Sequence, residues 1–142
     1  MTAKQLREHC EAEFENIEST LQELRGIVAQ EKRYSTAELT AIAAFLHNFY
    51  NGIENTLKRI MTYQNVPIPV TSTWHRDLLK SASDAAIIPA TLYEQLSLYL
   101  SFRHFFVHAY SIALRWEELE PLVSSIENAW VEFRRAVETH LL

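Results

Sequence analysis

Two glycines and four prolines are all that interrupt 142 residues. A many-stranded β fold needs frequent tight turns, and turns draw on glycine and proline for backbone angles that other residues resist. A chain this poor in both is pushed towards long, uninterrupted elements, and the spacing of its apolar residues says which kind. Leu6, Cys10, Phe14, Ile17, Leu21, Leu24 and Val28 follow one another at steps of three and four. That is the period of a helix with one buried face.

The same reading carries through the chain. Ser35 and Glu38 have the S-x-x-E spacing of a capping box, and Leu39, Ile42, Leu46, Phe49, Ile53, Leu57 and Ile60 then repeat the three-four step, predicting a second helix to about Tyr63. The prolines in NVPIPV stop it, because each removes a backbone donor and drives the preceding residue out of the helical region. TSTWHRDLLKSASD reads as a short helix ending near Asp84, and Pro89 suits the first turn of a fourth helix running to residue 114. A last helix from about Glu117 carries the stripe Leu119, Leu122, Val123, Ile126, Trp130, Phe133, Val137 and Leu141, with Pro121 tolerated in its opening turns. No repeat, low-complexity tract or long linker divides the chain. The expected fold is all-α: an up-and-down four-helix bundle with one short additional helix, forming a single domain over residues 1–142.

Composition narrows the functional classes. The first residues are charged and no uncharged apolar run reaches eighteen, so the expectation is a cytoplasmic protein with neither leader nor membrane span. Cys10 stands alone, which leaves no disulfide framework and no cysteine metal cluster to read. The net charge of −5 argues against indiscriminate nucleic-acid binding, yet residues 56–115 carry six Lys and Arg against three Asp and Glu. The middle of the chain is locally basic.

Within that middle lies RHFFVHAY, residues 103–110. At about 100° per residue, Leu98, Phe102, Phe105, Ala109, Ile112 and Ala113 gather on one side of the fourth helix, and Leu92, Leu96, Leu100 and Val107 cover much of the other. Ser97, Ser101, His104, His108 and Ser111 leave a narrow polar stripe. A helix apolar on two sides is either central to its bundle or packed against a second chain as well. Arg103 falls among Leu96, Val107 and Tyr110, where a stem laid on apolar neighbours with the guanidinium in water is the ordinary arrangement. His104 and His108 suit a wet stripe, a pair of satisfied imidazoles or two ligands of a metal as well as catalysis, although no third ligand is evident. Tyr110 suits a core aromatic. His9, His47, His75 and His140 have no charged constellation around them in sequence.

Taken together, Arg103, a polar residue after it, His108 and Tyr110 resemble the signature of the HEPN superfamily, and within it the HepT-like group. The position following the arginine, most often Asn in that group, is His104 here. The resemblance implies a small helical bundle with the motif on its penultimate long helix, and a metal-independent endoribonuclease that is the toxin of a toxin–antitoxin pair, with no cofactor. It implies Arg103 and His108 as catalytic residues assisted by His104. It also implies a minimal nucleotidyltransferase as antitoxin, with Tyr110 the acceptor of its adenylyl groups. The other function the superfamily offers is a non-catalytic nucleotide- or substrate-binding subunit of such a nucleotidyltransferase.

The chemistry suits the residue types. RNA carries its own nucleophile in the 2′-hydroxyl, so a protein need only take its proton and stabilise charge on the phosphate. An imidazole titrating near neutrality serves the first need, and a planar guanidinium fork the second. Five residues apart on one helix, however, Arg103 and His108 diverge by about 140°. A two-fold dimer removes the difficulty by letting residues of both copies line one cleft, so a homodimer through the fourth helix is expected.

Overall fold

Residues 1–28, 33–108 and 114–142 are described by a computed structural model, and they form five helices: α1 (Ala3–Val28), α2 (Thr36–Tyr63), α3 (Trp74–Asp84), α4 (Ala90–His108) and α5 (Trp116–Glu138). The local signals act as their chemistry requires. The Ser35 hydroxyl accepts from the Glu38 amide at 3.1 Å while the Glu38 carboxylate accepts from the Ser35 amide at 2.9 Å, a complete capping box. Thr2 and Gln5 form the same reciprocal pair at the start of α1. Asn65 and Ala86, just beyond α2 and α3, take φ of 60° and 59°, and the next amides reach back to the Met61 and Ala82 carbonyls at 2.8 and 2.9 Å. Both helices therefore end in left-handed caps.

Pairwise contacts give the topology. Gly52 against Ile17 and Arg59 against Glu13 set α1 antiparallel to α2. Asn51 against Arg103 and His47 against Phe106 set α2 antiparallel to α4. Arg25–Glu127 and Glu18–Arg134 run α1 antiparallel to α5 along a charged rim. The four long helices thus make the expected up-and-down bundle, with α3 laid between α2 and α4. The centre of it is α2, which touches all the others and buries Ile42, Leu46, Phe49, Ile53, Leu57 and Ile60. Among the described residues no helix is long and apolar enough to cross a membrane.

Pro121 lies in the second turn of α5, within the opening turns where it was expected, and its missing amide costs Glu117 a partner. Helix α5 continues through it, with the Pro121 carbonyl accepting from Ser125 Oγ at 2.7 Å and the Leu122 carbonyl from the Tyr99 hydroxyl at 2.7 Å. In α4 only Leu92, Leu96 and Tyr99 are buried. From residue 100 onward it is half-buried or exposed despite Phe102, Phe105, Phe106 and Val107. The part of the fourth helix expected beyond His108 lies in residues 109–113, outside the described residues.

Candidate functional site

Leu92, Leu96, Tyr99, Arg103 and Phe106 share one stripe of α4, again at steps of three and four, and its last three members meet α2. Its first half is apolar packing, with the Tyr99 ring set edge-on to Phe49 at 5.3 Å. Its second half meets a polar stretch of α2. The Arg103 Nε donates to Asn51 Oδ1 at 3.3 Å, the Asn51 amide nitrogen lies 3.1 Å from His47 Nε2, and the Phe106 ring sits 5.4 Å from the His47 ring. Burial and the nearby Arg103 both hold the His47 imidazole below its ordinary pKa.

One turn further along α2 is Glu54, the buried charged residue among those described, at 3% exposure. Its two carboxylate oxygens lie 2.9 Å from His75 Nδ1 on α3. Burial pushes the Glu54 carboxyl up, opposed by the His75 hydrogen bond and by the charges of Arg103 and Lys58. Trp74 braces this corner, its ring 3.5 Å from that of His75 and 4.2 Å beneath Lys58 Nζ. Tyr50 is fully buried and its hydroxyl has no well-formed hydrogen bond. Burial and Glu54 drive that phenol well above its usual range, while Arg103 acts in the opposite sense.

His104 and His108 stand on another side of α4, both exposed, with their rings 4.4 Å apart. His108 Nδ1 lies 2.9 Å from the His104 carbonyl oxygen. A carbonyl only accepts, so Nδ1 carries the proton and Nε2 of the neutral ring is the nitrogen left for chemistry. The chain therefore brings His104 to His108 but not Arg103 to His108: Arg103 is turned to α2, and no hydrogen bond or ring contact joins it to His108. Tyr110, expected beside Arg103, lies outside the described residues. Among the described residues, no group of three or more His, Cys, Asp or Glu is placed to hold a metal ion.

His47 and His75, read from sequence as ordinary, belong to this constellation. The signal for it was there: His47, Asn51, Glu54 and Lys58 recur at steps of four, three and four, a polar stripe running through a largely apolar helix.

An all-α up-and-down bundle, with an arginine turned inward and a histidine pair turned outward on its fourth helix, defines a class of small helical domains built around one polar helix segment. The family model for HepT-like proteins matches residues 41–141, more than half of the chain. The chain belongs to the HepT-like family. No curated protein and no solved structure matches it.

Proposed function

We propose that this chain, as a single domain over residues 1–142, is a metal-independent endoribonuclease and the toxin of a toxin–antitoxin pair. The observation that carries the reading is the state of α4 in a HepT-like chain: Arg103 is held only through Nε among the described residues, and His108 presents Nε2 to solvent. The terminal guanidinium nitrogens bind a phosphate of single-stranded RNA and stabilise the charge that grows on it. His108 takes the proton of the 2′-hydroxyl, the oxygen attacks the adjacent phosphorus, and the 5′-oxygen leaves with a proton from an acid in the cleft. His104, stacked on His108, orients it. The products are a 2′,3′-cyclic phosphate and a 5′-hydroxyl.

Because Arg103 and His108 face apart, the cleft takes them from two copies of the chain. The half-exposed second half of α4 supports such a homodimer: Leu98 is 57% exposed and, with Phe102 and Phe105, lines an apolar groove against Pro121 and Leu122 of α5. A minimal nucleotidyltransferase neutralises the toxin by adenylylating Tyr110, seven residues from Arg103, which sets a phosphate charge and a bulky base against RNA binding.

Purified protein is expected to cleave single-stranded RNA in a chelator, and Arg103→Ala or His108→Ala to abolish cleavage with the fold intact. Mixing those two variants after dissociation tests the composite cleft. Half of the sites in mixed dimers regain both residues, so about a quarter of wild-type activity returns. Dimers that form but stay inactive refute the shared cleft. A monomeric wild type that binds nucleotide without cleaving RNA points instead to a substrate-binding subunit of a nucleotidyltransferase. Adenylylation is tested by incubation with the genomic partner, ATP and Mg²⁺, where the expected result is an adenylyl mass on Tyr110.

A further inference from the structure

Hydrogen-bond polarity constrains the contacts around Arg103 to one arrangement. A guanidinium can only donate, so the atom of Asn51 turned to Arg103 is the oxygen. The amide NH₂ is then the group turned to His47 Nε2, which must accept. An accepting Nε2 makes His47 the neutral tautomer with its proton on Nδ1, and that nitrogen is buried without a partner. Protonating His47 sets N–H against N–H at Asn51 and adds a second cation beside Arg103.

His47 is not itself the base. Its accepting nitrogen is occupied by Asn51 and its other nitrogen is sealed from solvent. Its effect reaches substrate only through Arg103.

We propose that Asn51 and His47 are positioning residues for Arg103: the amide, oriented by a neutral imidazole, holds the guanidinium by Nε and leaves both terminal nitrogens to a phosphate of the substrate. This rests on the ribonuclease reading. A free arginine loses side-chain entropy when it closes on a phosphate, and one already held in place loses less. Phosphate affinity therefore depends on a residue 56 positions away from Arg103 in the chain that never meets the ligand. The charged groups around the chain of contacts are Arg103 from α4, Glu54 and Lys58 from α2, and His75 from α3, paired to Glu54. Of the groups in direct line, His47 is the one whose protonation reverses the polarity of the Asn51 contact.

Two measurements decide it. Nitrogen-15 correlation spectra of the histidine rings are expected to show His47 as the Nδ1–H tautomer at pH 7.5, and Arg103→Met or Asn51→Ala to release that preference. Binding of a 2′-O-methyl RNA oligonucleotide, which cannot be cleaved, is expected to weaken about tenfold in Asn51→Ala and in His47→Leu. His47→Gln, which keeps an acceptor but does not titrate, is expected to restore most of that loss and to remove the acid limb of the wild-type binding profile. A mixed or Nε2–H ring in the wild type refutes the polarity argument. A fixed ring with wild-type affinity in Asn51→Ala refutes the positioning role. Wild-type protein that neither binds nor cleaves RNA overturns the ribonuclease reading, and the ring spectra alone then judge the contact.

Discussion

Replacing His75 by Ala strands the Glu54 carboxylate. Removing one partner of a buried ion pair costs about 3–5 kcal/mol when the remaining charge stays dry. His75 keeps 25% of its side chain exposed, against 4% for Glu54, so water enters the vacated space and solvates one edge of the carboxylate. The expected loss is therefore smaller, about 2 kcal/mol near neutral pH, or a fall of about 6 °C in Tm for a chain of this size. Glu54→Gln keeps an acceptor for the imidazole and carries no charge, so His75→Ala in that background should cost about 1 kcal/mol or less, chiefly the lost contact with Trp74. The pH dependence has a definite sign. A carboxyl raised in the fold favours folding below its unfolded pKa, about 4.3, and loses that contribution as pH climbs through the folded value. The His75 hydrogen bond opposes that rise, so its loss raises Glu54 further and widens the window. The gap in Tm between wild type and His75→Ala should be small near pH 4 and widen as pH climbs through the Glu54 range. Thermal melts of the four proteins across pH supply the cycle. Equal losses in both backgrounds at pH 7, or a gap that does not change with pH, would show that the pair contributes nothing through charge.

Other outcomes follow from packing and backbone geometry. A Cβ on Gly52 would lie 2.5 Å from Ile17 Cγ1, in the dense α1–α2 seam, so Gly52→Ala should cost about 1–3 kcal/mol, whereas Gly26 has nothing within 4 Å and Gly26→Ala should gain about 0.5–1 kcal/mol; denaturant midpoints distinguish the two. Ala86 holds φ of 59° in the cap of α3, so Ala86→Gly should stabilise by about 1 kcal/mol in the same assay, a reversal of the usual helix-end penalty. Leu98→Arg places a charge on the proposed interface at a site 57% exposed in the protomer, and light scattering should show a monomer of unchanged helix content that no longer cleaves RNA.

Much of the architecture was legible because it is written in local terms. Ser35 and Glu38 are three residues apart, and the apolar stripes of α1, α2 and α5 declare their buried faces by period alone. The two apolar sides of α4 were equally plain, although which side the bundle takes depends on partners distant in sequence. The environment of Arg103 was harder to see. Asn51 lies 52 residues away and Glu54 meets His75 across 21, so neither contact has a sequence period. Read singly, His47 and His75 look like surface imidazoles, and only the stripe that His47 shares with Asn51, Glu54 and Lys58 through an apolar helix hints that a polar seam runs inside. The divergence of Arg103 and His108 was computable from helix geometry, and the fold preserves it.

Arg7 Nη1 donates to the Leu141 carbonyl at 3.2 Å, so the first turns of α1 and the residues after α5 are neighbours. Chain order and spatial order can therefore be uncoupled in this protein. A short flexible linker can join residue 142 to residue 1, and the chain can be reopened between Pro69 and Val70, where Val70 is 97% exposed and no helix is cut. The circularly permuted protein begins with α3, α4 and α5 and ends with α1 and α2, leaving the polar seam between α2 and α4 intact. During synthesis the arginine-bearing helix then emerges before the helix that holds it, the reverse of the natural sequence of events.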